Sequence, residues 1–403
     1  MPATVVERAH NGVPRTILYT GKGGVGKTSV AAASARRAAA SGLRTVVLST
    51  DPAHSLSDAL ELELGPDPTP AGKNLWGQEV QAQREMEANW AQVQGWMGQL
   101  IADRGVMDIA AEELTVPPGL DELFSLLQIK RHHESGDYDL IVVDCAPTGE
   151  TLRLLSFPEI AHWWLEKVFP VERRLVAAAR PLAKTFLDID LPGEEVLAEV
   201  NGLVRNLIAM NDILRDSDSA SIRLVMNADR MVIKEAQRTF TYLNLYGYLT
   251  DAVVVNRLFP DEVSDGYFGP WRKRQAERLN EIEDGFAPVP VLEARYFADE
   301  VVGPKMLDRL GEELFAEQDV AALLLREQAH EFSEGPNGDT TLRIRVPFAE
   351  RSQVSLKQVG SELIVAAGRE KRTLILPPAL ARRRSNGAKL RDGALEVTFP
   401  GER

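Results

Sequence analysis

At about 150 residues per domain, a chain of 403 residues predicts two or three domains, and 44% hydrophobic with 26% charged residues excludes collagen-like, disordered and disulfide-scaffold classes. The single cysteine, Cys145, rules out an intrachain disulfide, a CxxC redox pair and a Cys-rich zinc site. A net charge of −13 argues against general nucleic-acid binding. That charge is uneven: residues 340–403 hold 13 Lys/Arg and 6 Asp/Glu, a local +7, which leaves −20 on residues 1–339. Two units are expected, either docked electrostatically or independently solvated. No run reaches the roughly 18 consecutive apolar residues of a membrane span. The opening segment, with Glu7, Arg8 and Arg15, lacks the apolar core of a secretory signal, so the cytoplasm is the expected compartment.

In chain order, strands are expected at Thr16–Thr20, Thr45–Thr50, Asp139–Asp144, Leu224–Asn227, Val253–Leu258 and Val289–Leu292. They are apolar nearly throughout, as strands covered by helices on both faces must be. Their alternation with helical stretches predicts an α/β fold with a doubly wound, mostly parallel sheet over residues 14–331. Two inserts, 77–135 and 158–218, lack strand signals and are expected to be helical. In the second, Val196, Val200, Leu203, Leu207, Met210 and Leu214 form an apolar stripe, preceded by Trp163 and Trp164. The stripe either packs within a helical subdomain or lines a groove for an apolar ligand. Residues 332–339, FSEGPNGD, read as a linker. Beyond it, Leu342/Ile344/Val346 and Leu395/Val397/Phe399 alternate with polar residues, which predicts a small all-β sandwich over 340–403.

Residues 21–28, GKGGVGKT, fit the phosphate-loop pattern between a predicted strand and an alanine-rich helix. Here the backbone of Gly21, Lys22, Gly23, Gly24, Val25 and Gly26 can close around phosphate oxygens at a helix N-terminus. Lys27 can reach the β- and γ-phosphates, the Thr28 hydroxyl can ligate Mg²⁺, and Ser29 continues the loop. Asp144, at the C-terminal edge of DLIVVD, lies where parallel sheets bind ligands and can hold the same Mg²⁺. Asp51 ends the TVVLST strand; it either orients the attacking water or caps a helix ahead of Pro52. Lys22 is either a solvated loop cation or a charge delivered to a partner subunit's nucleotide.

GKGGVGKTS at 21–29, STDPAHSLSDAL at 49–60 and DCAPTGETLRLLSFPE at 144–159 resemble the phosphate loop and two switches of the arsenical-pump and tail-anchored-protein targeting ATPases. The resemblance covers about residues 14–325. It implies an ATP-hydrolysing, Mg²⁺-dependent homodimer that uses Lys22 in trans and Asp51, Lys22 and Lys27 in catalysis. It also implies that Asn256, in VVVNRLFP, recognises adenine and that Asp229, in NADRMV, contacts nucleotide across the dimer. AKLRDGALEVTFP at 388–400 resembles the α-crystallin domain of small heat-shock proteins, as in the bacterial and plastid branch of that family. The expected role is a targeting or chaperone ATPase for hydrophobic helices, with Trp163, Trp164, Leu203, Leu207 and Met210 as candidate lining. The alternative is a nucleotide-dependent switch for a protein or transporter partner. Arsenite activation is not expected, because one cysteine cannot build a multi-thiolate site. The client and any membrane receptor leave no signature in the sequence.

Overall fold

The computed structural model describes residues 13–51, 55–81, 83–84, 86–87, 91, 93, 95, 120–145, 193–263, 266–326, 330–335, 338–346, 353–360, 362–367, 370–376 and 378–401. Eight strands build the central sheet: β1 (Arg15–Thr20), β2 (Thr45–Ser49), β3 (Thr69–Gly72), β4 (Leu75–Glu79), β5 (Leu140–Asp144), β6 (Ala220–Met226), β7 (Thr250–Leu258) and β8 (Val291–Arg295). Their order is β3-β4-β2-β5-β1-β6-β7-β8, and every pairing is parallel except that of the edge strand β3 with β4. From β1 the chain first crosses beyond β5 to β2 and later continues on the other side through β6. This reversal opens a crevice at the C-terminal ends of β1 and β5.

Strand side chains alternate between two cores. Leu18, Val46, Leu48, Ile141 and Val143 face one core, shared with α3 (Leu120–Ser135), α4 (Glu194–Arg215), α5 (Arg230–Tyr246) and α6 (Gly269–Phe286). Ile17, Tyr19, Val47 and Val142 face the other, shared with α1 (Lys27–Ala40), α2 (Ser55–Leu60) and α7 (Gly303–Phe315). All six expected strands are present, with ends shifted by a few residues. The first insert needs correction, because residues 77–79 belong to strand β4. Its LWGQE sequence lacks a β-branched run, and its partner β3 carries Pro70, tolerated there because the strand is an edge. In the second insert, Leu203, Leu207, Met210 and Leu214 are buried in one cluster with Phe124 and Leu127 of α3. The part of the α4 stripe from Leu203 to Leu214 is therefore core, while Val200 is half-buried. Trp163 and Trp164 lie outside the described residues.

The segment read as a linker also needs correction. Strand β9 (His330–Glu334) takes its first three residues and pairs antiparallel with β10 (Thr340–Arg345), and the turn formers close the hairpin through Gly335 N–H to the Asp339 carbonyl at 2.7 Å. The remaining strands are β11 (Val354–Val359), β12 (Glu362–Ala367), β13 (Glu370–Ile375), β14 (Ala388–Arg391) and β15 (Ala394–Phe399). Sheets β14-β15-β10-β9 and β11-β12-β13 enclose Leu342, Ile344, Val346, Leu363, Val365, Leu395, Val397 and Phe399. Asp392 and Gly393, at φ 48° and 69°, supply the two left-handed residues of the tight hairpin between β14 and β15. This unit rests on α5 through β10 and β13. That helix carries Arg230, Lys234 and Arg238 against Glu235, so it offers no acidic face to the basic domain.

A buried ionic network ties residues 319–324 to the sheet. Arg223 is fully buried and donates to Asp251 at 3.2 and 3.3 Å, to the Tyr19 hydroxyl at 3.2 Å and to the carbonyls of Val320 and Ala322. Arg15 reaches Asp251 at 3.3 Å and the Ala321 carbonyl at 3.2 Å, while Leu324 N–H donates to Asp251. Removing the shared anion leaves buried positive charge uncompensated. Asp251→Ala is expected to destabilise the α/β domain by about 3–5 kcal/mol in urea denaturation; a loss below about 1 kcal/mol would contradict this reading of the network.

Candidate functional site

The chain between the end of β1 at Thr20 and the start of α1 at Lys27 curls tightly, which its glycines permit. A Cβ at Gly21 would run into the Val225 carbonyl, and Gly26, at φ 95°, has no room for one beside the Asn256 carboxamide. The buried Lys27 ammonium lies in this curl, 3.5 Å from the Lys22 carbonyl. Thr28, one residue into the helix, donates its hydroxyl to Asp144 Oδ2 at 2.7 Å.

Asp144 is wholly buried, and its other oxygen, Oδ1, has no hydrogen-bond partner among the described residues. Burial pushes its pKa up to about 7; the Thr28 hydroxyl and Lys27 charge oppose that rise, Asp51 adds to it, and the Ser49 hydroxyl opposes it. A desolvated carboxylate with a free oxygen beside a threonine hydroxyl is a hard-oxygen donor set, and it fits Mg²⁺. Cys145, next in sequence, is buried and its thiol is pushed far up by burial, so it is not a thiolate donor.

Asp51 follows β2, with its N–H donating to Ser49 Oγ at 3.2 Å. Among the described residues the next helix, α2, starts at Ser55, and its Ser57 N–H donates to Glu79 Oε1 at 2.8 Å. Glu79, buried at the end of β4, thus holds the helix that follows Asp51. His54 lies outside the described residues.

On the opposite flank, Asn256 spends its carboxamide on the loop: Nδ2 donates to the Val25 carbonyl at 2.9 Å and Oδ1 accepts the Arg257 N–H at 2.9 Å. A cleft of about 460 Å³ opens beside it, with Ser29, Asn256, Arg257, Arg295, Tyr296 and Phe297 among its walls. Lys22 extends from the outer rim and pairs with Glu235 of α5 at 3.1 Å. Asp229 precedes the same helix, 59% exposed, with Arg278 Nη1 at 3.4 Å. The structure therefore gathers Lys27, Thr28, Asp51 and Asp144 at one crevice, with Ser29 and Asn256 on the adjoining cleft. Lys22 and Asp229 stand outside on the α5 side. No local motif signals Glu79, Glu235 or Arg257, because each acts through a contact distant in sequence.

Residues 14–316 match the anion-transporting ATPase family, and residues 337–399 match the HSP20-like domain found in ArsA. The chain belongs to the anion-transporting ATPase family. It is similar to a putative arsenical pump-driving ATPase of Prosthecochloris vibrioformis, at 39% identity with 96% of each chain covered. A putative arsenical pump-driving ATPase 1 of Aquifex aeolicus is 33% identical over 93% of this chain and 97% of its own length. ATPase get3 of Aspergillus terreus is 30% identical over 74% of this chain and 90% of its own. As a family member the chain binds ATP and hydrolyses it. No helix among the described residues is long and apolar enough to cross a membrane.

The elevated pKa of Asp144 carries a stability consequence. The native state holds this carboxyl less acidic than the unfolded chain does, so its ionisation costs native stability above pH 4, and the cost is complete above about pH 7. Without nucleotide or divalent cation, Asp144→Asn is expected to raise the thermal midpoint at pH 8, an advantage that vanishes as pH falls toward 4. Equal melting of the two proteins at pH 8 would contradict the burial cost.

Proposed function

We propose that this chain is a homodimeric, Mg²⁺-dependent ATPase that acts as a nucleotide-driven switch on a protein partner. The observation that carries it is the buried Asp144 carboxylate at the mouth of a glycine loop, with one oxygen on Thr28 and no hydrogen-bond partner for the other among the described residues. In this reading the loop amides of residues 21–26 and the Lys27 ammonium bind the phosphates. Thr28 and Asp144 would hold Mg²⁺, which would supply positive charge to offset that of the phosphates. Asp51 orients the attacking water and receives its proton. Asn256 and the neighbouring cleft lie on the base side.

Lys22 gives the reading its dimer. Its side chain is 39% exposed on the rim, away from its own phosphate curl, and bonds only loosely to Glu235. Leaving Glu235 frees it to cross to a second copy's nucleotide, with Asp229 on the same facing side. α5 carries Glu235 and also supports the C-terminal sandwich, which supplies a mechanical link from nucleotide state to that domain. The burial of Leu203, Leu207 and Met210 favours the switch over a groove lined by the α4 stripe. Capture of a hydrophobic helix is retained as a second reading because an HSP20-like domain sits on the helix that holds Lys22. Its lining must then come from residues other than the α4 stripe. The buried Cys145 supports the absence of a thiolate metalloid switch.

Light scattering with ATP and Mg²⁺ is expected to show Asp51→Asn as a dimer with hydrolysis reduced at least 10³-fold, and Lys22→Ala as similarly slow. A strict monomer in ATP, or undiminished turnover after Lys22→Ala, overturns the dimeric reading. Glu235→Gln removes the competitor for Lys22 and is expected to lower the ATP concentration that drives dimerisation by two- to fivefold, consistent with a weak surface pair; an unchanged midpoint would show that the pair does not restrain Lys22. The contents of an Asp51→Asn dimer purified in ATP and Mg²⁺ separate the two readings: a bound apolar peptide supports capture, and an empty dimer supports the switch.

A further inference from the structure

We infer that Arg257 is a positioning residue for ATP: it clamps the phosphate loop from behind and holds it in its binding conformation before nucleotide arrives. The evidence begins in the sheet. The register of β7 against β8 slips between the pairs Val255–Glu293 and Leu258–Arg295, so β7 carries one extra residue at Asn256–Arg257. Such a bulge re-aims the side chains that it carries. Arg257 sits in the left-handed region at φ 63°, an uncommon place for an arginine, and its surroundings fix it there. Its N–H donates to Asn256 Oδ1 at 2.9 Å, and its carbonyl accepts from Gln275 Nε2 of α6 at 3.1 Å. Gln275 Oε1 in turn accepts the Phe259 N–H at 2.8 Å.

The bulge aims two consecutive side chains at two consecutive loop carbonyls. Arg257 Nη1 donates to Gly24 O at 2.8 Å, and Asn256 Nδ2 donates to Val25 O at 2.9 Å. In a trans peptide the N–H points opposite to the C=O. The peptides gripped through these carbonyls therefore turn the amide hydrogens of Val25 and Gly26 the other way, toward the inside of the curl. A donor on the carbonyl also polarises the amide and strengthens its N–H toward an anion, more so when the donor is a guanidinium. The clamp thus fixes loop shape and adds positive potential behind the phosphates without touching them.

Preorganisation of this kind assists ground state and transition state alike, so its loss appears in KM with kcat retained. Arg257→Gly deletes the guanidinium while relaxing the left-handed backbone, which keeps the fold. It is expected to raise KM for ATP about three- to tenfold, the effect of one partly exposed charge-assisted bond, with kcat within about twofold and the thermal midpoint unchanged or higher. Kd for ADP, read with a fluorescent analogue, should rise by the same factor, and Arg257→Lys should recover part of the loss. Unchanged KM overturns the inference. A fall in kcat, or an effect on ATP without one on ADP, also overturns it by making Arg257 a contact to the γ-phosphate. The inference rests on the loop being the phosphate site. Lys27→Ala tests that separately: if it binds nucleotide normally the site assignment fails, whereas if Lys27→Ala abolishes binding and Arg257→Gly is silent, only the clamp fails.

Discussion

A carboxylate taken out of water, with a hydrogen-bond partner for only one of its oxygens among the described residues, is the constraint on which the rest of the site depends. Asp144 lies at the end of a strand whose Leu140, Ile141, Val142 and Val143 are wholly buried, so the sheet that delivers it also desolvates it. Thr28 satisfies one oxygen, which fixes the first turn of α1, at the end of the loop from β1, against β5. Lys27 and Asp51 act on the same carboxyl with opposite sign. Strand order contributes equally: β5 and β2 lie side by side next to β1, so three strand ends meet at one crevice. Burial of such a group weakens the empty protein, and on the proposed function a bound cation offsets that cost.

Around that centre the contacts divide by direction. Behind the loop, Asn256 and Arg257 hold its carbonyls and Gln275 holds Arg257, so α6 supports the loop through β7. On the outer rim, Lys22 is held by α5, the helix on which the C-terminal sandwich rests. Below the sheet, Arg223 links Tyr19 of β1 to residues 320–322, and Tyr19 in turn donates to Ser34 of α1 at 2.7 Å. Residues 320–322 and α1, the helix that follows the loop, thereby share one polar chain. The loop is thus tied to the segment at 320–322 by hydrogen bonds, and Lys22 to the helix under the sandwich by an ion pair.

Much of this was legible in the sequence, for physical reasons. Doubly covered strands must be apolar on both faces, so β1, β2, β5, β6, β7 and β8 announce themselves; β3 and β4, with Pro70 and Gly77, do not. The loop glycines are readable because only their conformations allow the curl, and Asp144 because it closes an apolar strand. Glu79, Glu235 and Arg257 are ordinary charged residues whose meaning arises from partners 22, 213 and 233 positions away, which no local pattern encodes. The α4 stripe shows the converse limit: periodicity reports an apolar face, and only packing against Phe124 and Leu127 shows what covers it. The segment 332–339 was misread because turn formers mark a hairpin as readily as a linker.

The most direct test of the central claim is a crystal structure of the chain with a non-hydrolysable ATP analogue and Mg²⁺. The account predicts that the phosphates lie inside residues 21–28, that the cation is held by the Thr28 hydroxyl, and that Asp144 is reached directly or through one water as the Thr28–Asp144 hydrogen bond gives way. A cation bound elsewhere, with that hydrogen bond intact and Asp144 Oδ1 still alone, would contradict it.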